Sequence, residues 1–170
     1  MKPDDEARLR QVYRDNVEAV FAFFGFSVSR AHAEDLTAST FERVVRSWKR
    51  YDPAKASERT WILAIARNLL TDHFRRQHHR QAVSLDDQPL VGETLAVSAD
   101  PTEGLLDREE VRSWLAGLSD RDRQILTLRY GADLSAREIG GLMDLEEANV
   151  HQILSRTLRK LRDTVERTPS

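Results

Sequence analysis

The sequence predicts an all-α chain: two small helical domains joined by a flexible acidic linker, the second containing a helix-turn-helix. Three observations carry this. Only seven glycines and five prolines among 170 residues, with no run of alternating β-branched residues, leave little material for a sheet. Apolar residues recur at helical spacing through long stretches on both sides of positions 81–104. Between those stretches, Gln81 to Gly104 holds Asp86, Asp87, Glu93, Asp100 and Glu103, two prolines, and no lysine or arginine. Such a segment buries too little apolar surface to order itself, although Leu85, Leu90, Val91 and Leu95 are available to dock on something. The expected division is therefore 1–80 for the first domain, 81–104 for the linker and 105–170 for the second.

Asp4 to Phe26 reads as the first helix, with Leu9, Val12, Tyr13, Val17, Val20, Phe21 and Phe24 on one face and Gly25 near its end. A second helix runs from about Ala31 to Arg50. Leu36, Phe41, Val44, Val45 and Trp48 form its inner face, and Asp35, Glu42, Arg43 and Lys49 its outer face. Asp52-Pro53 marks a turn, because proline fixes its own φ and keeps its predecessor out of the helical region. Ser57 then caps a third helix beginning near Glu58. Ile62, Ile65, Ala66, Leu69, Leu70 and His73 share its inner face. Thr60, Ala64, Arg67, Asn68, Thr71, Arg75 and His78 form a polar stripe that continues into Arg76 and Arg80. Trp61, at the edge of the apolar face, reads as packing. Three such helices bury a shared, aromatic-rich core.

Beyond the linker, Leu105 to Leu118 carries an apolar stripe through Leu106, Val111, Trp114, Leu115 and Leu118. Ser119 caps a next helix that Gly131 ends after Tyr130. Ser135-Ala-Arg-Glu138 is a capping box opening a short helix to about Met143, and a long helix follows from Glu146 to about Glu166. Val150, Ile153, Leu154, Leu158, Leu161 and Val165 point inward on that last helix, leaving His151, Gln152, Ser155, Arg156, Arg159 and Arg162 outward. A helix-turn-helix places the exposed face of its second helix in the major groove, where arginine and glutamine read base edges. Each basic face alone also fits an ordinary solvated surface; two of them around an acidic linker favour DNA contact at two sites.

Composition narrows the function further. With 32% charged and 40% hydrophobic residues the chain is of soluble, globular type, and a formal net charge of −2 means that any basic surface is local. The absence of cysteine removes disulfide and thiol chemistry. No apolar run is long enough for a signal peptide or membrane span, so a cytoplasmic protein without membrane insertion is expected. His73, His78 and His79 are spaced so that they do not share a helical face, and no metal site is expected. With no glycine-rich phosphate loop, nucleophile elbow or paired-carboxylate pattern, neither catalytic residues nor a cofactor are expected.

Several segments, in order, resemble one family. AEDLTASTFERVVRSWKRYDP is similar to the polymerase-clamp helix of bacterial RNA polymerase sigma factors of the small extracytoplasmic-function (ECF) type. YDPAKASERTWILAIARNLLTDHFRR is similar to their promoter-melting segment. ADPTEGLLDREEV and LSDRDRQILTLRYGADLSAREIG are similar to their second domain. The sequence departs from the family pattern at Ala38-Ser39, where Gln-Glu is frequent, and at Glu58, where an aromatic often precedes Arg59. It departs again at Asp144, in place of the customary turn glycine, and at Ala148-Asn149, in place of Gly-Thr.

The resemblance implies a transcription initiation factor whose partners are core RNA polymerase and promoter DNA. It implies that Asp35, Thr40, Phe41, Arg43 and Arg46 lie on or beside the polymerase-binding surface. Covering that surface would prevent polymerase binding, so an anti-sigma protein is a further expected partner. Lys55, Ser57, Arg59, Asn68, Thr71, Arg75 and Arg76 are the implied contacts to the minus-ten element, with the loop before Glu58 capturing a base that leaves the duplex. His151, Gln152, Ser155, Arg156 and Arg159 are the implied contacts to the minus-thirty-five element. In related sigma factors the linker threads into polymerase channels that nascent RNA later occupies, which would put Asp86, Asp87 and Glu93 in positively charged surroundings. The competing expectation is a helix-turn-helix regulator that acts without being a polymerase subunit.

Overall fold

The computed structural model describes residues 3–83 and 108–167, and all regular structure among them is helical. The linker assignments, including Asp86, Asp87 and Glu93, and the start of the fourth helix at Leu105 lie outside the described residues. Among the described residues, no helix is long and apolar enough to cross a membrane.

The first group comprises α1 (Pro3–Gly25), α2 (Arg30–Ser47) and α3 (Glu58–Val83). The Ser29 side chain caps α2 by accepting from the His32 backbone N–H, satisfying a donor that the first helical turn leaves without a partner. The predicted end of α2 at Arg50 is corrected: the α-helix stops at Ser47, and Trp48–Arg50 tighten into a 3₁₀ turn. That turn brings Trp48 against Tyr51 and Trp61, with ring centroids 5.4 and 6.1 Å away. The core holds Val12, Val20, Phe23, Phe24, Val44, Ile62, Leu63 and Leu70, each 0–1% exposed. At about 1.5–3 kcal/mol for each fully buried aliphatic or phenyl side chain, this cluster dominates the stability of the group.

The second group comprises α4 (Arg108–Ala116), α5 (Asp120–Tyr130), α6 (Ala136–Met143) and α7 (Glu147–Arg167). Its centre is Ile125, Leu128, Leu134, Ile139 and Val150, all at most 2% exposed. Arg123 holds the end of α4, donating to the carbonyls of Leu115 and Leu118 at 3.1 Å each. The capping box at Ser135 forms as the sequence predicts, and Asp144 takes the left-handed cap at φ 56°, with its N–H on the Gly140 carbonyl. Glycine is required at 140: a Cβ there would lie 2.5 Å from the Leu145 carbonyl oxygen, in the tight turn that sets α7 against α6.

Two predicted core positions of α7 are exposed instead, Leu158 at 39% and Val165 at 42%. Leu158 opens onto a cleft of about 330 Å³ that it shares with Phe26, Trp114, Tyr130 and Leu161, so no element covers it fully. Val165 lies near the end of α7. The two groups are in contact: α1 meets α5 and α3 meets α6.

Candidate nucleic-acid interface

Two basic helices carry the candidate interface, and the loop before α3 sets how the first is presented. The Asp52 carboxylate accepts from the Ala54 N–H at 3.0 Å, forming an Asx-type turn at Pro53. The Tyr51 hydroxyl donates to the Ala56 carbonyl at 3.1 Å. Burial first, and then the nearby Glu58 carboxylate, raise the Tyr51 pKa and keep the phenol a donor. The Ser57 hydroxyl then caps α3 by accepting from the Thr60 N–H at 3.2 Å. Lys55, with 85% of its side chain exposed, stands at the tip of this loop.

Along α3, Asn68, Arg75 and Arg76 are exposed, while Thr71 is half-buried with its hydroxyl on the Arg67 carbonyl. Arg59 is anchored rather than free. Its guanidinium donates to the Asn16 side chain at 3.3 Å, the Asp15 carbonyl at 3.0 Å and the Ala132 carbonyl at 3.4 Å. Asn16 is itself buried, with its amide on the Val12 carbonyl, so the Arg59 head rests on a fixed support.

On α7, His151, Gln152, Ser155, Arg156 and Arg159 are exposed together on one face. Amide, hydroxyl and guanidinium groups on one open helix face suit base edges and phosphates. Arg156 is 3.6 Å from the Asp122 carboxylate of α5, whose side chain is only 8% exposed. The other Asp122 oxygen has no hydrogen-bond partner, which leaves the buried charge dependent on its arginine neighbours.

Models of two parts of one family match the chain in order, Sigma-70 region 2 over residues 12–80 and Sigma-70, region 4 over residues 114–163. The chain belongs to the sigma-70 family, as an ECF sigma factor. The ECF RNA polymerase sigma factor SigM of Bacillus subtilis is 28% identical over 154 residues, covering 89% of this chain and 91% of SigM. SigC of Mycobacterium tuberculosis is 33% identical over 116 residues, covering 68% of this chain and 60% of SigC. The sigma factor RpoE from Bartonella quintana, solved in complex with the anti-sigma factor NepR, shares the fold, with a TM-score of 0.77 at 18% identity over 99% of this chain and 100% of that one.

In this sigma factor the family's two regions coincide with the two helical groups. On the expected polymerase surface of α2, Asp35, Arg43 and Arg46 are exposed, and Arg46 pairs with Glu42 at 2.5 Å. Thr40 and Phe41 are placed differently. Thr40 is 0% exposed, with its hydroxyl on the Leu36 carbonyl, and Phe41 is 8% exposed, edge-on to Tyr13. They lie beneath the exposed face of α2, because its inner stripe passes through both positions.

Sequence reading missed five participants. Thr60 and Arg67 of α3, and Glu138 and Met143 of α6, meet across the two groups. The Thr60 hydroxyl donates to Glu138 at 2.9 Å, and the Arg67 guanidinium lies 3.0 Å from the Met143 sulfur. Thr60 and Arg67 fall on the predicted polar stripe, but no periodicity within one helix shows that a partner nearly eighty residues on will cover it. Asp122 was equally invisible, since its carboxylate reads as one of the acids of a helix first turn. Among the described residues, no group of three or more His, Cys, Asp or Glu side chains is placed to hold a metal ion.

Proposed function

We propose that this sigma factor binds core RNA polymerase, carries it to promoters through contacts at two elements, and assists opening of the DNA. The observation behind this reading is that two sigma-70 regions occur in order on one chain and each contains a basic helix. In the proposal, 1–80 binds the polymerase clamp and the minus-ten element, 81–104 connects, and 105–170 binds the minus-thirty-five element. Asp35, Arg43 and Arg46 meet polymerase, with Thr40 and Phe41 behind them. Lys55, Ser57, Arg59, Asn68, Thr71, Arg75 and Arg76 meet the minus-ten DNA. Extruding a base from the duplex costs a few kcal/mol, which the Ser57 loop and Asn68 offset by receiving it.

The same reading makes the chain a non-catalytic subunit acting in the cytoplasm, where polymerase and promoters are. The α2 surface also suits an anti-sigma partner. The exposed charges of α2, the Glu42–Arg46 pair among them, are open to a competitor of polymerase. The test is transcription with purified bacterial core polymerase on genomic fragments. The expected result is promoter-dependent initiation only when the chain is added, lost in Asp35→Arg/Arg43→Glu protein of unchanged helicity. Blocking of transcription without initiation would instead identify a regulator that is not a polymerase subunit.

A further inference from the structure

The first turn of α7 is held firmly against α6. Val150 is 0% exposed, and its N–H donates to the Glu146 carbonyl at 3.1 Å. The Leu145 N–H donates to the Gly140 carbonyl at 2.9 Å, and the backbones run so close that a Cβ at Gly140 would lie 3.7 Å from the Glu147 nitrogen. On this support Glu147 and Ala148 are both exposed, one turn before His151 and Gln152. A Glu147 carboxylate oxygen is 3.9 Å from Nε2 of His151, with 57% of the Glu147 side chain exposed. The contact places the carboxylate over the open face of α7 rather than past the end of the helix. A first-turn carboxylate complements the dipole of any helix, but this one also begins the row of side chains assigned above to DNA.

We propose that Glu147 is a further specificity-determining residue of the minus-thirty-five surface: its carboxylate accepts from the exocyclic amine of one cytosine and turns away the other three bases. This rests on the assignment of α7 to that element. In a helix-turn-helix the N-terminal residues of the second helix meet base edges in the major groove. Cytosine presents an amino donor there, guanine only acceptors, thymine an acceptor and a methyl group, and adenine a donor beside the N7 acceptor. An ionised carboxylate accepts and never donates, so guanine and thymine repel it and adenine suits it only in part. The same charge repels phosphate. Glu147 therefore contributes discrimination at the expense of affinity, by excluding wrong sequences more than by holding the right one.

The test uses the full chain reconstituted with purified bacterial core polymerase. Binding is measured on a double-stranded promoter recovered in the transcription test above, and on every single substitution of its minus-thirty-five element. At one base pair the parent should prefer cytosine by roughly tenfold or more. In Glu147→Gln that preference should fall to about twofold, because an amide donates as well as accepts. The substituted sites should also be bound more tightly than by the parent, since a charge that repels phosphate is gone. Glu147→Arg should move the preference at the same base pair from cytosine to guanine, whose O6 and N7 arginine reads. A residue that only stabilised the helix would move neither preference, and circular dichroism verifies the helicity of both variants.

Parent-like preference at every base pair in Glu147→Gln, or a uniform change across all sites in both variants, overturns the proposal. Relaxation at a base pair where the parent does not prefer cytosine overturns it as well. Gln152→Ala and Arg156→Ala separate the proposal from the assignment beneath it. If they relax particular base pairs while Glu147→Gln relaxes none, α7 reads the element without Glu147. If none of the four variants alters any base preference, the minus-thirty-five assignment itself falls, and the reading of cytosine falls with it.

Discussion

Helices α3 and α7 are both basic, and each is the reading helix of its domain in the proposal, yet they are built in opposite ways. In α7 the apolar side chains Val150, Ile153 and Leu154 lie on one side, and the readers have the other to themselves. In α3, Ile62, Leu63, Ala66, Leu69 and Leu70 are buried, while Trp61, Ile65 and Phe74 pack around them, so apolar contact wraps most of its circumference. What remains for DNA on α3 is a narrow strip and the loop before it, and that strip also meets α6. A helix built into a three-helix core has rigid readers with little freedom of surface. A helix at the rim of a small domain has free surface and less support. The difference suits the proposed tasks, since receiving a flipped base needs a fixed pocket, whereas entering a groove needs an open face.

The largest effect that distinguishes the two helices is core truncation. Leu63→Ala or Leu70→Ala, both 0% exposed in α3, should cost about 2–5 kcal/mol in urea unfolding. Leu158→Ala, at 39% exposure in α7, should stay within about 0.5 kcal/mol. Equal losses would mean that α7 is as enclosed as α3. Next comes the turn that fixes α7. Gly140→Ala brings a Cβ to 2.5 Å from the Leu145 carbonyl, and the resulting backbone shift should cost about 1–3 kcal/mol. Its expected signature is weakened binding of double-stranded minus-thirty-five DNA with intact binding of core polymerase. Loss of both would show that the two domains do not fail separately.

Much of this fold is legible in the sequence. The helix order, the Ser57 and Ser119 caps, the capping box at Ser135 and the open face of α7 all follow from local rules, because the causes lie within a few residues of the effects. Leu63, 0% exposed, falls outside the predicted inner face because a single periodic stripe cannot describe a helix contacted from several sides. Resemblance puts Thr40 and Phe41 on or beside the polymerase surface, periodicity puts Phe41 on the inner face, and both side chains are buried. The contacts of Glu138 with Ser57 and Thr60 had no local signature at all, because they depend on how two separate groups of helices meet.

The readers of α7 divide by what holds them. Gln152→Ala should reduce discrimination at particular base pairs by roughly 1–3 kcal/mol, whereas Arg159→Ala should weaken all sequences alike if it meets phosphate. Arg156 is the instructive case, because the Asp122 carboxylate 3.6 Å away holds its guanidinium from behind. Asp122→Asn keeps the shape and removes that charge. Its expected result is a partial loss of discrimination at the same base positions that Arg156→Ala affects, measured by binding to a set of singly substituted sites. Parent-like discrimination in Asp122→Asn would reduce the pair to a stabilising contact.

The smallest predicted effect concerns pH and the support of α3. His73 is half-buried on α3 with its ring 4.8 Å from that of His32 on α2 and 5.9 Å from that of Phe74. Burial first, then His32, Arg76 and Arg80, lower its pKa from the ordinary 6.5, since each disfavours a positive charge there. The unfolded chain therefore takes up this proton at a higher pH than the folded chain does. Stability carried by neutral His73 is fully present above pH 6.5 and is lost as pH falls through the window between that value and the lower folded one. Urea unfolding of the parent across that window should show domain one weakening with acid, and His73→Gln, which cannot take a proton there, should flatten the decline. An equally steep decline in His73→Gln would place the acid sensitivity elsewhere, and α3 would then owe nothing of its rigidity to a neutral histidine at the α2 contact.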